Sequence, residues 1–138
     1  AAAKMRYHCA AAIASNQVIA LFAESQQLLL DCGFSAEAAQ QALTPLFLGN
    51  ARHIATDGPT AALTGPVERG DAATLKLHLA ALDTDDDRML YLLLSERLLR
   101  SARQKHPERD YTAIQQFIMD RKTNLQRRLA DTIPTLKG

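Results

Sequence analysis

Tryptophan is absent, and aromatic residues make up only 5% of the 138-residue chain. So few aromatics give the basic C-terminal stretch no aromatic interleaving of the kind that stacks bases. There are two cysteines, Cys9 and Cys32, with no CxxC pair between them. A disulfide framework and a cysteine-based zinc site are thereby excluded, and two buried thiols in a reducing cytosol are expected. The four histidines, His8, His53, His78 and His106, stand at no i, i+3 or i, i+4 spacing, so no metal site is expected. The apolar run after Ala10 is broken by Ser15, Asn16 and Gln17, well short of the ~20 residues of a membrane span. No signal peptide is visible, and the chain reads as soluble and cytoplasmic. Its opening, AAAK, resembles the inside of a helix more than a natural start. Alternating apolar and polar residues are also missing, which removes the usual signature of a strand.

What remains is helical, and alanine-rich enough to favour close helix packing. The first segment runs from about Ala2 to Cys32, with Gly33 as the residue that ends it and Phe34 folding back. Ser35 caps the next helix, which Pro45 is expected to end or restart. The Asp57–Pro59 stretch breaks the second piece, and a short helical turn fits around Thr60–Leu63. Asp71 caps a helix to Leu82. Thr84 and the acidic run Asp85–Asp87 start a helix to about Lys105. A last helix spans roughly Tyr111 to Ala130, with Ile114, Phe117, Ile118, Leu125 and Leu129 on one side, and Pro134 closing it. The fold class is therefore all-α, a single helical domain arranged as a bundle around its long apolar first helix.

That first helix is apolar nearly all round, the pattern of a helix buried inside a domain or a subunit interface. Against it stands a polar row. At 100° per residue, Ser15 lies within roughly 20° of Lys4 and His8, and Asn16 stands roughly 80° to one side of His8. Such a row fits the wall of a polar cavity, with His8 and Lys4 able to exchange protons; it also fits a hydrogen-bonded core histidine and a solvated lysine. Ser15 and His8 are about 10 Å apart along the axis, too far for a nucleophile–base pair.

Gly65 and Gly70 carry P-loop spacing, but Asp71 stands where that motif needs lysine. Pro66 also removes a backbone N–H from the cradle. A phosphate loop is excluded. The two glycines mark a tight turn with unusual backbone angles, and Arg69 either reaches a ligand or pairs with Glu68 or another acid.

The stretches KMRYHCAAAIASN (Lys4–Asn16) and GPTAALTGPVERGDAATLKLHL (Gly58–Leu79) resemble a bacterial family of unknown function. Its pattern is K-x-x-Y-H, then S-N, A-L-T-G-P, R-G-D and H-L. Lys4, Tyr7, His8, Ser15, Asn16, Thr64, Gly65, Pro66, Arg69, Gly70, Asp71 and His78 match it. The resemblance covers residues 4 to about 100, and the basic C-terminal part, 106–138, matches weakly. In that family the helical domain follows a Rossmann-like NAD(P)-binding domain, and the pair is similar to pyrroline-carboxylate reductases and 6-phosphogluconate dehydrogenases. The resemblance implies a 6-phosphogluconate dehydrogenase C-terminal-like fold, a homodimer, and NADP or NAD held by the N-terminal domain. It implies catalytic roles for His8 and Lys4, and substrate-binding roles for Ser15, Asn16, Thr64, Gly65 and Arg69. Two departures stand out. NARHI places Asn50 and His53 where the family reads T-x-x-N-I, and no GxGxxG follows a strand, so this chain cannot hold a dinucleotide by that device.

Charge is uneven. Residues 1–96 hold 6 Lys/Arg against 11 Asp/Glu, and residues 97–138 hold 10 against 4. Arg100, Arg103, Lys105, Arg121, Lys122, Arg127 and Arg128 make a basic stretch. It fits a solvated helix face better than a nucleic-acid site, for which no reading motif is present. The expected function is the substrate-cleft and dimerisation domain of an NAD(P)-dependent oxidoreductase. The alternative is a non-catalytic dimerisation or partner-binding module.

Overall fold

The structure, a computed structural model, describes residues 1–132. Helix is the only regular structure among them, as an all-α fold requires. Pro134 lies outside the described residues. The helices are α1 (Ala2–Ala12), a π-helical turn (Ile13–Gln17), α2 (Val18–Asp31), α3 (Ala36–Asp57), α4 (Pro59–Ala62), α5 (Pro66–Arg69), α6 (Ala72–Ala80), α7 (Asp85–Lys105) and α8 (Thr112–Asp131). No described helix is long and apolar enough to cross a membrane.

The chain gathers into two compact units, Ala1–Arg52 and a second from His53 onward. In the first, α2 ends in a Schellman motif. Gly33, at φ 92°, lets its N–H reach Leu30 O at 2.8 Å and the Phe34 N–H reach Leu29 O at 3.0 Å. Ser35 Oγ then accepts from the Ala38 N–H at 3.1 Å and caps α3. Contrary to expectation, α3 runs unbroken through Pro45. Gln41, whose carbonyl loses its donor, is exposed along with Pro45, so water can take that carbonyl.

The long first segment is present, but it is not a buried centre. No residue of α1, the π turn or α2 is buried. Ala39 alone is buried in this unit, and Cys9 and Cys32 are exposed thiols, not buried ones. The cause is local. Phe22 and Phe47, edge to face at 5.3 Å, and the Gln26–Gln40 amide pair link α2 to α3, without closing a core between them. Beside them lies an open groove of about 400 Å³ lined by Val18, Ile19, Phe22, Thr44, Phe47 and Leu48.

The second unit has a true core. On α7, Leu92, Ser95, Leu99 and Ala102 repeat every three or four residues and are buried. They face Ile114, Ile118 and Leu125 of α8, which realise the apolar stripe read from the sequence. Leu75 and Leu79 of α6, Val67 of α5, Leu63, Leu82 and Tyr111 complete the cluster among the described residues. Each fully buried Leu or Ile contributes about 1.5–3 kcal/mol. Asp71 Oδ1 caps α6 by accepting from the Thr74 N–H at 3.0 Å. Thr84 Oγ1 caps α7 by accepting from the Asp87 N–H at 3.1 Å.

Candidate functional site

Lys4 and His8 lie one turn apart on α1, and both are exposed. The ring of Tyr7 meets that of His8 edge-on at 5.9 Å. Beyond Ala12 the helix widens, and Ser15 and Asn16 both fall inside the π turn. Small polar residues in a helix interior compete for its carbonyls. Ser15 Oγ does so here, donating to Ala11 O at 2.7 Å, and it also lies 3.3 Å from Asn16 Oδ1. The count of 100° per residue holds to Ala12 and does not carry unchanged across Ile13–Gln17, where the turn is wider. A single widened turn of this kind is often found at functional sites.

The other candidates sit in the second unit, on the bend between α4 and α6. Leu63 is extended at φ −60°, ψ 127°. Gly65 at φ 95° and Gly70 at φ 72° then open and close the single turn of α5, angles that favour glycine. Arg69 N–H bonds Gly65 O at 3.2 Å, Gly70 N–H bonds Val67 O at 3.1 Å, and Asp71 N–H bonds Pro66 O at 2.8 Å. Leu63 and Val67 are buried and pin the bend, whereas Thr64 and Arg69 are exposed. The Arg69 side chain is 57% exposed, and its ion pair is with Asp71 Oδ2 at a loose 3.9 Å, not with Glu68. Hydrogen bonds from the Thr74 hydroxyl and backbone N–H hold the Asp71 carboxyl below its ordinary range, and Arg69 adds to this.

Glu68 is engaged elsewhere, with His106, Arg109 and Tyr111 from the stretch between α7 and α8. Its carboxylate meets His106 Nε2 in a short contact, and Arg109 lies 3.4 Å from the same Oε1. Its backbone carbonyl accepts from Arg109 at 2.6 Å and from the Tyr111 hydroxyl at 2.6 Å. Lys105 Nζ donates to Leu63 O at 2.7 Å and Ala61 O at 3.1 Å. Desolvation pushes the Glu68 carboxyl up. The His106 hydrogen bond and the charges of His106, Arg109 and Lys105 outweigh it and leave the group below its usual value. Much of the remaining tail is also tied down. Lys122 pairs with Glu96 at 2.7 Å, Arg128 with Asp85 at 3.2 Å, and Arg103 bonds Gln115. These partners lie about 12 to 44 residues away in sequence, where no local spacing rule reaches.

His78, also part of the matched pattern, bonds the Tyr91 hydroxyl through Nδ1 at 2.7 Å, and burial raises the Tyr91 phenol. The chain thus brings Lys4 to His8, Ser15 to Asn16, and Thr64 and Gly65 to Arg69. The first two pairs belong to the first unit and the last group to the second. A family model described as Domain of unknown function (DUF2520) matches residues 1–98. No curated protein and no solved structure matches the chain.

Proposed function

The chain belongs to this family of unknown function, and from that premise we propose that it is the helical substrate-cleft and dimerisation domain of an NAD(P)-dependent oxidoreductase. The observation that carries the reading is the exposed apolar surface of the first unit. Of Ala1–Arg52 only Ala39 is buried, while Ile19 and Leu46 are 69% and 71% exposed. Three helices of this length cannot hold together on one buried residue, and apolar surface of this extent marks an interaction face. A second copy of the chain is the partner proposed for it.

This chain's own residues do not fit a dinucleotide. The bend at Gly65–Gly70 ends in the carboxylate of Asp71, and no strand precedes it among the described residues. In this reading the cofactor, NADP or NAD, sits on a Rossmann-like domain of the same protein, as the family resemblance implies. This domain's share is to supply or accept a proton at His8 or Lys4. Ser15, Asn16 and Thr64 orient the substrate, and Arg69 takes a carboxylate through its two-pronged guanidinium. In this reading the protein works in the cytoplasm.

The test uses the full-length gene product, with NADPH binding and turnover measured on imine and keto-acid substrates. His8→Ala is expected to lower kcat by about 10²–10⁴-fold, the usual contribution of a positioned acid or base. Arg69→Ala is expected to act mainly on KM. Activity unchanged in both variants would remove the assigned roles. A second reading, a non-catalytic dimerisation module, draws on the same exposed apolar surface. A dimer that binds no NADPH, and becomes monomeric in Ile19→Glu or Leu46→Glu, would favour it.

A further inference from the structure

The residues that grip the Thr64–Arg69 bend all come from one stretch, Lys105 to Tyr111, and that stretch lies beyond the part of the chain the family model covers. The grip is applied at both ends. At the start, Lys105 Nζ holds Leu63 O at 2.7 Å, immediately before Thr64. At the end, Arg109 and Tyr111 both hold Glu68 O at 2.6 Å, immediately before Arg69. His106 fixes the Glu68 side chain between them. The two side chains left exposed, Thr64 and Arg69, each follow a clamped carbonyl.

We propose that Lys105, Arg109 and Tyr111 are positioning residues that lock the backbone of this bend and so hold Thr64 and Arg69 outward for an anionic ligand group. A bend with glycine at both ends has many backbone conformations to lose, and a carbonyl held by a cation has few. Charge-assisted bonds to the two end carbonyls therefore pre-order the turn before any ligand arrives. The grip stands on the geometry of the second unit alone. The ligand-orienting role that follows from it rests on the substrate-cleft reading.

The test is amide hydrogen exchange on the free chain, read at Arg69, Gly70 and Asp71, whose N–H groups close the bend. Amides of α8 around Ile118 serve as the control for global opening. Tyr111→Phe keeps the buried ring and removes only the hydroxyl. It and Lys105→Ala should each speed exchange at the three bend amides about tenfold, the scale of one lost hydrogen bond of this kind, with α8 unchanged. Lys105→Arg should restore protection. Unchanged bend amides in both variants, or acceleration shared equally with α8, would overturn the proposal. Should Lys105→Ala fail to fold, Tyr111→Phe alone decides. No cofactor or substrate enters the measurement. A full-length protein that fails to bind NADPH would sink the oxidoreductase reading and leave this result standing.

Discussion

Glu68 shows how one carboxylate can order a turn without touching a ligand itself. Its acid range lies below the ordinary one because its hydrogen bond to His106 and nearby positive charge outweigh its desolvation. A group whose folded value is lowered stabilises the fold fully above its unfolded value, near 4.5, and loses that contribution as pH falls through the folded value. Urea midpoints measured from pH 6 downward should therefore fall less steeply for Glu68→Gln than for the parent chain, with the difference confined to the region below about pH 4.5. Equal slopes would show that Glu68 titrates alike in the folded and unfolded chain. The angles at Gly65 and Gly70 were readable from the residue types. The identity of Glu68's partners was not, because 38 residues separate it from His106.

Caps were the most legible elements. Ser35, Asp71 and Thr84 each accept the backbone N–H that their place at the start of a helical segment implied, and Gly33 closes α2 with both Schellman bonds. These devices act within four residues, so local sequence is enough to find them. Pro45 was misread for a tertiary reason, since its cost depends on whether water can reach the orphaned carbonyl. Replacement tests that account. Pro45→Ala returns an N–H to Gln41 O and relieves a penalty of about 3 kcal/mol for proline in a helix interior. Amide exchange across α3 should slow, with the largest change in the turn after residue 45; faster exchange would mean that the ring packs usefully. The π turn also escaped the sequence. Widening by one residue leaves hydrophobic composition unchanged, and only the backbone shows that Ser15 and Asn16 lie in a π turn.

At the scale of the molecule, the helical class followed from what the sequence lacked, whereas the division into two units did not. Apolar content is high in both, yet only the second turns it into a core: the stripes of α7 and α8 close on each other, whereas Val18, Ile19 and Phe22 of α2 and Phe47 and Leu48 of α3 line an open groove. Where the family match stops has a practical consequence. Residue 98 falls inside α7, and of the twelve described residues in the buried cluster six come later: Leu99, Ala102, Tyr111, Ile114, Ile118 and Leu125. A truncated chain ending at 98 should therefore give a molten or insoluble product, seen as lost near-ultraviolet dichroism and dye binding, whereas 1–132 should not. Homology borders and folding borders part company here, and anyone cloning this domain by its recognised extent would be cutting through its keel.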